Sequence, residues 1–289
     1  MTTTGTGTAE LLARLVAIDS VNPDLVPGGA GEAAIAAFVA GWCERAGLEV
    51  HAEPLRDGRA NVIAVARGRR GGRALMLNAH LDTVGVAGCE RPHEPEVRAG
   101  RLYGRGACDT KGALAAFMTA AASAAREGLA GDVILTAVAD EEHLSLGTEA
   151  LIANGWRADA ALVGEPTDLA IATAHKGFAW LEVETRGVAA HGSDPATGVD
   201  AILHMGRVLA ALERLNAALR AGPPDPLLGT GSLHASLIEG GQELSSYPAR
   251  CRLQLGAAPS RARRRSGPSA TCARCSPASP RETPRSRRP

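Results

Sequence analysis

Aromatic residues are scarce in this chain: Phe, Trp and Tyr together make up 3% of its 289 residues. A core short of rings must be built from Ala, Val and Leu, and the 45% hydrophobic content with 21% charge is that of a globular protein of one large domain or two. Long apolar runs are missing as well. None approaches the ~20 residues of a membrane span, and Met1 to Glu10 has neither the basic start nor the apolar block of a leader. These absences point to a cytoplasmic protein that is not inserted in a membrane. A disulfide framework is also lacking. The six cysteines, Cys43, Cys89, Cys108, Cys251, Cys272 and Cys275, are scattered apart from the last pair, which suits a reducing compartment.

Net charge is zero, but the balance is uneven. Residues 261–289 carry nine arginines and one acid, Glu282, which leaves 22 basic against 30 acidic groups, a net of −8, in the first 260 residues. The tail also holds five Pro and five Ser and no aliphatic side chain larger than Ala, so it cannot bury a core and is expected to be disordered. Its arginines could suggest a nucleic-acid arm and Cys272-Ala-Arg-Cys275 half of a zinc knuckle. A single Cys-x-x-Cys offers too few ligands for structural zinc, and no nucleic-acid partner is expected.

What the chain does contain is a series of acids and one histidine at the ends of apolar segments. Tyr103 to Gly112 is a glycine-rich turn carrying a lone carboxylate, Asp109, ahead of an alanine-rich helix at residues 113–126. Taken alone, Asp109 reads as well as a helix cap. Upstream, helices are expected at Ala9 to Ile18 and Ala30 to Gly47, with Ile35, Phe38, Val39 and Trp42 on one stripe, and a polar turn at residues 19–23. Strands follow at Glu49 to Pro54, Asn61 to Ala66 and Ala74 to Asn78, the last apolar enough to be buried on both faces. That strand leads into His80-Leu-Asp82, where the acid can hold the far nitrogen of the imidazole, although an ordinary hydrogen-bonded His fits as well.

Further on, the strand Asp132 to Val138 runs into Asp140-Glu141-Glu142, three acids whose burial would demand a cation or a helix N-terminus. A helix at Thr148 to Asn154 and a strand at Ala160 to Val163 deliver Glu165. One His and several carboxylates leaving strands in an alternating α/β pattern converge on one sheet edge, which a zinc site explains better than four separate caps. A second domain is expected from a strand at Lys176 to Arg186, the loop Gly187-Val-Ala-Ala-His191-Gly-Ser193, a helix at Asp200 to Leu219 with Ile202, Met205, Leu209, Leu212 and Leu215 on one stripe, and strands at Leu233 to Ile238 and Cys251 to Leu255.

The order His80-x-Asp82, Gly-Arg-Gly-Ala-Cys-Asp109-Thr-Lys-Gly, Asp140-Glu141-Glu142 and Gly-Glu165-Pro-Thr resembles the dinuclear zinc amidohydrolases and exopeptidases. That family includes acetylornithine deacetylase, succinyl-diaminopimelate desuccinylase, aminoacylase and the glutamate-releasing carboxypeptidase, and the resemblance covers roughly Ala9 to Leu255. It implies an α/β fold: a mixed-sheet zinc-hydrolase catalytic domain at 1–174 with an inserted smaller α+β lid domain at 175–256, both incomplete at the C-terminus, ahead of the tail at 257–289. By position, it implies that His80 and Glu165 bind a first zinc, Asp109 bridges, and Glu142 binds a second. Asp82 then orients His80, Glu141 is the general base, and His191 stabilises the oxyanion. Cobalt or manganese could stand in for zinc.

The implied partners are a small N-acyl amino acid or short peptide and a second copy of the chain through the lid. Deacetylase and exopeptidase readings both remain open, because no residue present separates an acyl amide from a dipeptide. Beyond Leu255 the family's pattern would continue with a substrate-binding arginine loop and a last zinc-ligand histidine. Here the tail follows instead, with the look of coding sequence read out of frame. With only Asp109 and Glu142 left for the second zinc, one metal per chain and weak or absent activity are expected, and an inactive remnant is the alternative.

Overall fold

The structure is a computed structural model that describes residues 7–258. The chain divides into two compact units, the first ending at Ile171 and the second beginning at Ala172.

The first unit is built on a five-stranded sheet in the order β1 (Glu49–Pro54), β2 (Ala60–Ala66), β6 (Gly131–Val138), β3 (Gly72–His80) and β7 (Ala160–Val163). The hairpin β1–β2 and the pair β2–β6 are antiparallel, whereas β6, β3 and β7 run parallel to one another. Between β3 and β6 lie the short hairpin strands β4 (Glu96–Arg98) and β5 (Arg101–Tyr103) and the helix α3 (Lys111–Glu127). The hairpin is absent from the sequence reading. Half of the residues in its three-residue strands are charged, and each strand is too short to show an apolar alternation.

One face of the sheet is covered by α1 (Thr8–Val16), α2 (Ala33–Arg45) and α3, which bury Leu11, Leu15, Ile35, Val39, Leu114 and Met118 against Val62, Leu77 and Leu135. Alanines at 115, 121 and 124 are buried in the same cluster and let α3 lie close to the strands. The other face, with Ile63, Met76 and Ile134, takes the shorter α4 (Leu146–Ala153) through Leu151. Consecutive Met76 and Leu77 thus enter opposite clusters, as a strand buried on both faces requires. At the sheet edge β7 is exposed along its length.

The second unit has the three-stranded antiparallel sheet β8 (Ala179–Arg186), β10 (Arg250–Ala258), β9 (Ser232–Gly240), with α5 (Ala201–Ala221) on one face. Met205, Cys251, Leu253 and Leu255 form its small core. Three of the five residues of the expected α5 stripe are used: Leu209 and Leu212 pack beside Met205, but Ile202 and Leu215 are 43% and 50% exposed. No helix among the described residues is long and apolar enough to cross a membrane. Cys272, Cys275 and the tail from residue 259 onward lie outside the described residues.

Candidate metal centre

Because β6, β3 and β7 are neighbours and parallel, their C-terminal ends open on one edge of the sheet, the place where α/β proteins gather ligand chemistry. β3 ends at His80, β6 runs out through Ala139 into Asp140-Glu141-Glu142, and β7 hands over to Gly164-Glu165. Gly164 is needed for this exit, since a Cβ there would strike Ala113 and Phe117 of α3. Asp109 arrives from the turn between β5 and α3, and its peptide bond to Thr110 is cis. Asp109 does not cap α3: the N-cap residue is Thr110, with no side-chain cap bond, and the Asp109 carboxylate goes to His80 instead.

His80 is 1% exposed, with Nε2 at 2.9 Å from Asp109 Oδ1 and 3.9 Å from Glu141 Oε2. Its Nδ1 donates to the main-chain carbonyl of Asp82 at 2.8 Å, while the nearest carboxylate oxygen of Asp82 is 3.6 Å away. Asp82 therefore holds the imidazole through its backbone oxygen, leaving Nε2 as the ligand nitrogen. Among the described residues, three sets of side chains bring their ligand atoms within 4.8 Å of one another: His80, Asp109 and Glu142; His80, Glu141 and Glu165; and Asp24, Asp140 and His143. One imidazole with four carboxylates is a donor set that suits zinc, manganese or cobalt.

The protonation of the cluster reflects crowded acids. Burial works against a charged His80, but the Asp109 hydrogen bond and the fields of Asp82 and Glu141 outweigh it and push its pKa up to about 9. Burial likewise pushes the Glu142 and Glu165 carboxyls up to about 7, opposed by His80 and reinforced by Asp109 and Glu141. A cation bound among them would offset that burial and favour the charged carboxylates.

The Asp82 carboxylate, fully buried, has another task. Oδ1 accepts from the Glu141 amide at 3.0 Å, and Oδ2 from the Glu142 amide at 3.1 Å and from Asn22 Nδ2 at 2.8 Å. It thus fixes the backbone of both glutamates. Asp140, by contrast, does not join the cluster around His80. Its buried carboxylate meets Arg59 Nη2 at 3.1 Å and Asn22 Nδ2 at 3.0 Å, and accepts from the amides of Leu144 and Leu146 at 3.3 Å, so both the cation and the helix N-terminus demanded by the sequence are supplied to this residue alone. The ends of the loop are tied by Asn61, which accepts from Ala139 N and donates to Gly147 O. Sequence reasoning missed Asn22, Glu32, Arg59 and Asn61. Their only signal is polarity inside segments that pack, and their partners lie far along the chain.

His191 belongs to the second unit, on an exposed loop bridged to Ser246. The Ser193 amide donates to His191 Nδ1 at 3.2 Å, so a neutral imidazole there carries its proton on Nε2 and presents a donor to whatever faces it.

The parallel strand ends and the imidazole–carboxylate set define an α/β protein with a candidate metal centre at the carboxyl edge of its sheet. The profile of peptidase family M20/M25/M40 matches residues 76–222, just over half of the sequence, and the chain belongs to that family. It is 37% identical over 203 residues to the acetylornithine deacetylase of Myxococcus xanthus, covering 67% of this chain and 52% of that one. With the acetylornithine deacetylase of Proteus mirabilis (strain HI4320) it shares 29% over 258 residues, 86% of this chain and 66% of the relative. The chain therefore spans between half and two thirds of the length of these relatives. Among solved structures, an M20 family metallo-carboxypeptidase from Sulfolobus solfataricus superposes with a TM-score of 0.67 at 17% identity, over 88% of this chain and 71% of that one. Human carnosine dipeptidase 1 does so with 0.63 at 18% identity, over 87% and 69%. These structures share the mixed α/β fold.

Proposed function

We propose that this protein is a metal-dependent amide hydrolase acting on N-acyl amino acids, with N-acetylornithine as the leading substrate. The reading rests above all on the gathering of Asp109 with Glu142, and of Glu141 with Glu165, around the same His80. The similarity to acetylornithine deacetylases supports the choice of substrate. His80, Asp109 and Glu165 would hold one zinc ion, whereas Asp109 and Glu142 alone would hold a second only weakly, so one zinc per chain and low activity are expected. Bound there, the ions would supply Lewis acidity toward the amide carbonyl and lower the pKa of water.

The chain's own groups do the rest. Glu141, held at the same edge by the Asp82 carboxylate, takes the proton of the attacking water and returns it to the leaving nitrogen. His191, with its proton on Nε2, donates to the oxygen on which negative charge develops. Two copies would pair through the second unit, in the cytoplasm.

The test is metal analysis with a panel of N-acetyl amino acids and unblocked dipeptides. Zinc-dependent hydrolysis of the acyl amino acids, lost in Glu141→Gln with metal content unchanged, is expected. Cleavage of dipeptides alone would move the reading to an exopeptidase. No cleavage of either class by metal-loaded protein would move the reading to the inactive remnant, and a rate that survives Glu141→Gln would refute it.

A further inference from the structure

The two glutamates owe their placement to the residue before them. Asp140 is fully buried and has φ 64°, a left-handed conformation that residues other than glycine seldom adopt. Something must hold it there. Its amide donates to Glu32 Oε1 at 3.0 Å, and its carboxylate meets Arg59 Nη2 and Asn22 Nδ2. Arg59, 3% exposed, spends its guanidinium on Glu32 through both Nε and Nη2, on Asp140 through Nη2, and on Asp24 through Nη1. Asn22 Nδ2 is shared between Asp140 and Asp82, and Asp82 holds the Glu141 and Glu142 amides. An unbroken line of hydrogen bonds thus runs from Arg59 to the backbone of the two acids that face His80.

We propose that Arg59, with Glu32, is a positioning residue of the metal centre: by clamping Asp140 in its left-handed turn it aims Glu141 and Glu142 at His80. The proposal rests on the reading of these side chains as a metal site and adds to it a second layer of residues drawn from the loops before α2 and β2. The simpler alternative is a buried ion pair that stabilises the fold and nothing else. The two differ in what a gentle substitution does. Lysine keeps the charge of Arg59 but cannot bridge Glu32 and Asp140 with a planar fork. Glycine at 140 keeps the left-handed backbone at no cost but removes the carboxylate through which Arg59 and Asn22 grip it.

The experiment compares wild type, Arg59→Lys, Asp140→Gly and, as a control for lost stability, Leu11→Ala in the core under α1. The readouts are zinc affinity by chelator competition and the exchange rates of the Glu141 and Glu142 amides in metal-free protein. Arg59→Lys and Asp140→Gly should each weaken zinc binding by about 10–100-fold and speed exchange at both amides beyond any global change. Leu11→Ala should leave affinity at the wild-type value while lowering stability. If wild type binds zinc and both network variants bind it equally well with amides as protected, the positioning role is refuted and the metal site stands. If wild type itself binds no zinc, the metal reading fails and takes this proposal with it.

Discussion

Replacing Asp82 by asparagine tests how the centre is assembled. The substitution keeps shape and volume, so no cavity forms, but one of the two oxygens becomes a donor. Three donors converge on this carboxylate: the Glu141 amide on Oδ1, and the Glu142 amide and Asn22 Nδ2 on Oδ2. The least costly orientation keeps the oxygen toward the latter two and turns the new NH2 against the Glu141 amide. One charge-assisted bond is then lost, and the Glu141 N–H and the new NH2 face each other with no acceptor between them, a destabilisation of about 2–3 kcal/mol or more. Glu141 and Glu142 lose their fixed backbone, and zinc affinity should fall about 10–100-fold. An opposing effect is present. Asp82 is one of the charges that hold the His80 pKa near 9, so removing it lowers that pKa and lessens the competition of protons with metal. That gain is the smaller of the two, because the hydrogen bond to Asp109 and the field of Glu141 still act on His80.

The tautomer of His80 should be unaffected, because Nδ1 bonds to the main-chain oxygen of residue 82, which asparagine also has. Chelator competition reads the affinity, urea unfolding the stability, and 15N NMR of the imidazole the tautomer. Unchanged or tighter zinc binding, or a switched tautomer, would refute the reasoning.

Other expectations follow from buried titrating groups. Metal uptake should release protons, because His80 near 9 and Glu142 and Glu165 near 7 hold protons at neutral pH that a cation must displace. Calorimetry in buffers of different ionisation enthalpy should show net release near pH 7, and apparent affinity rising as pH climbs from 6 to 9. Lys111 is wholly buried with Nζ on the Ile18 carbonyl, and burial lowers its pKa to about 8 from 10.5. A depressed lysine releases its proton first in the folded state, so stability gains about 3 kcal/mol as pH rises from 8 to 10.5 and loses it again as pH falls through 8. In Lys111→Met this part of the pH dependence of urea unfolding should vanish. Among the described cysteines, Cys89 and Cys108 are exposed, while burial pushes the Cys43 thiol up to about 12. Thiol reagents should label the first two in the native state and Cys43 only on unfolding.

The sequence carried the sheet well where pattern and burial agree. The strands Glu49–Pro54 and Ala160–Val163 have the expected bounds, and the apolar run ending at His80 lies at the centre of the parallel set. Candidate ligands were readable for the same reason, since an acid or imidazole just past an apolar strand stands out locally. The support of the site was not readable. Arg59 pairs with Glu32, Asp24 and Asp140 across separations of 27 to 81 residues, and Asn22 with Asp82 across 60, which no local pattern encodes. The spacing His80-x-Asp82 points to the Asp82 carboxylate, yet it is the backbone oxygen that holds His80 while the carboxylate holds the two glutamates. Asp140 looked like a third member of the acid cluster, and its left-handed backbone turns it instead toward Arg59.

The most direct measurement is a crystal structure of zinc-soaked protein with data collected on both sides of the zinc absorption edge. Anomalous density bounded by His80 Nε2 and the carboxylates of Asp109, Glu142 and Glu165, and absent from an Asp109→Ala crystal, is the predicted result. Zinc bound only elsewhere on the surface, with His80 still hydrogen-bonded to Asp109, would contradict it.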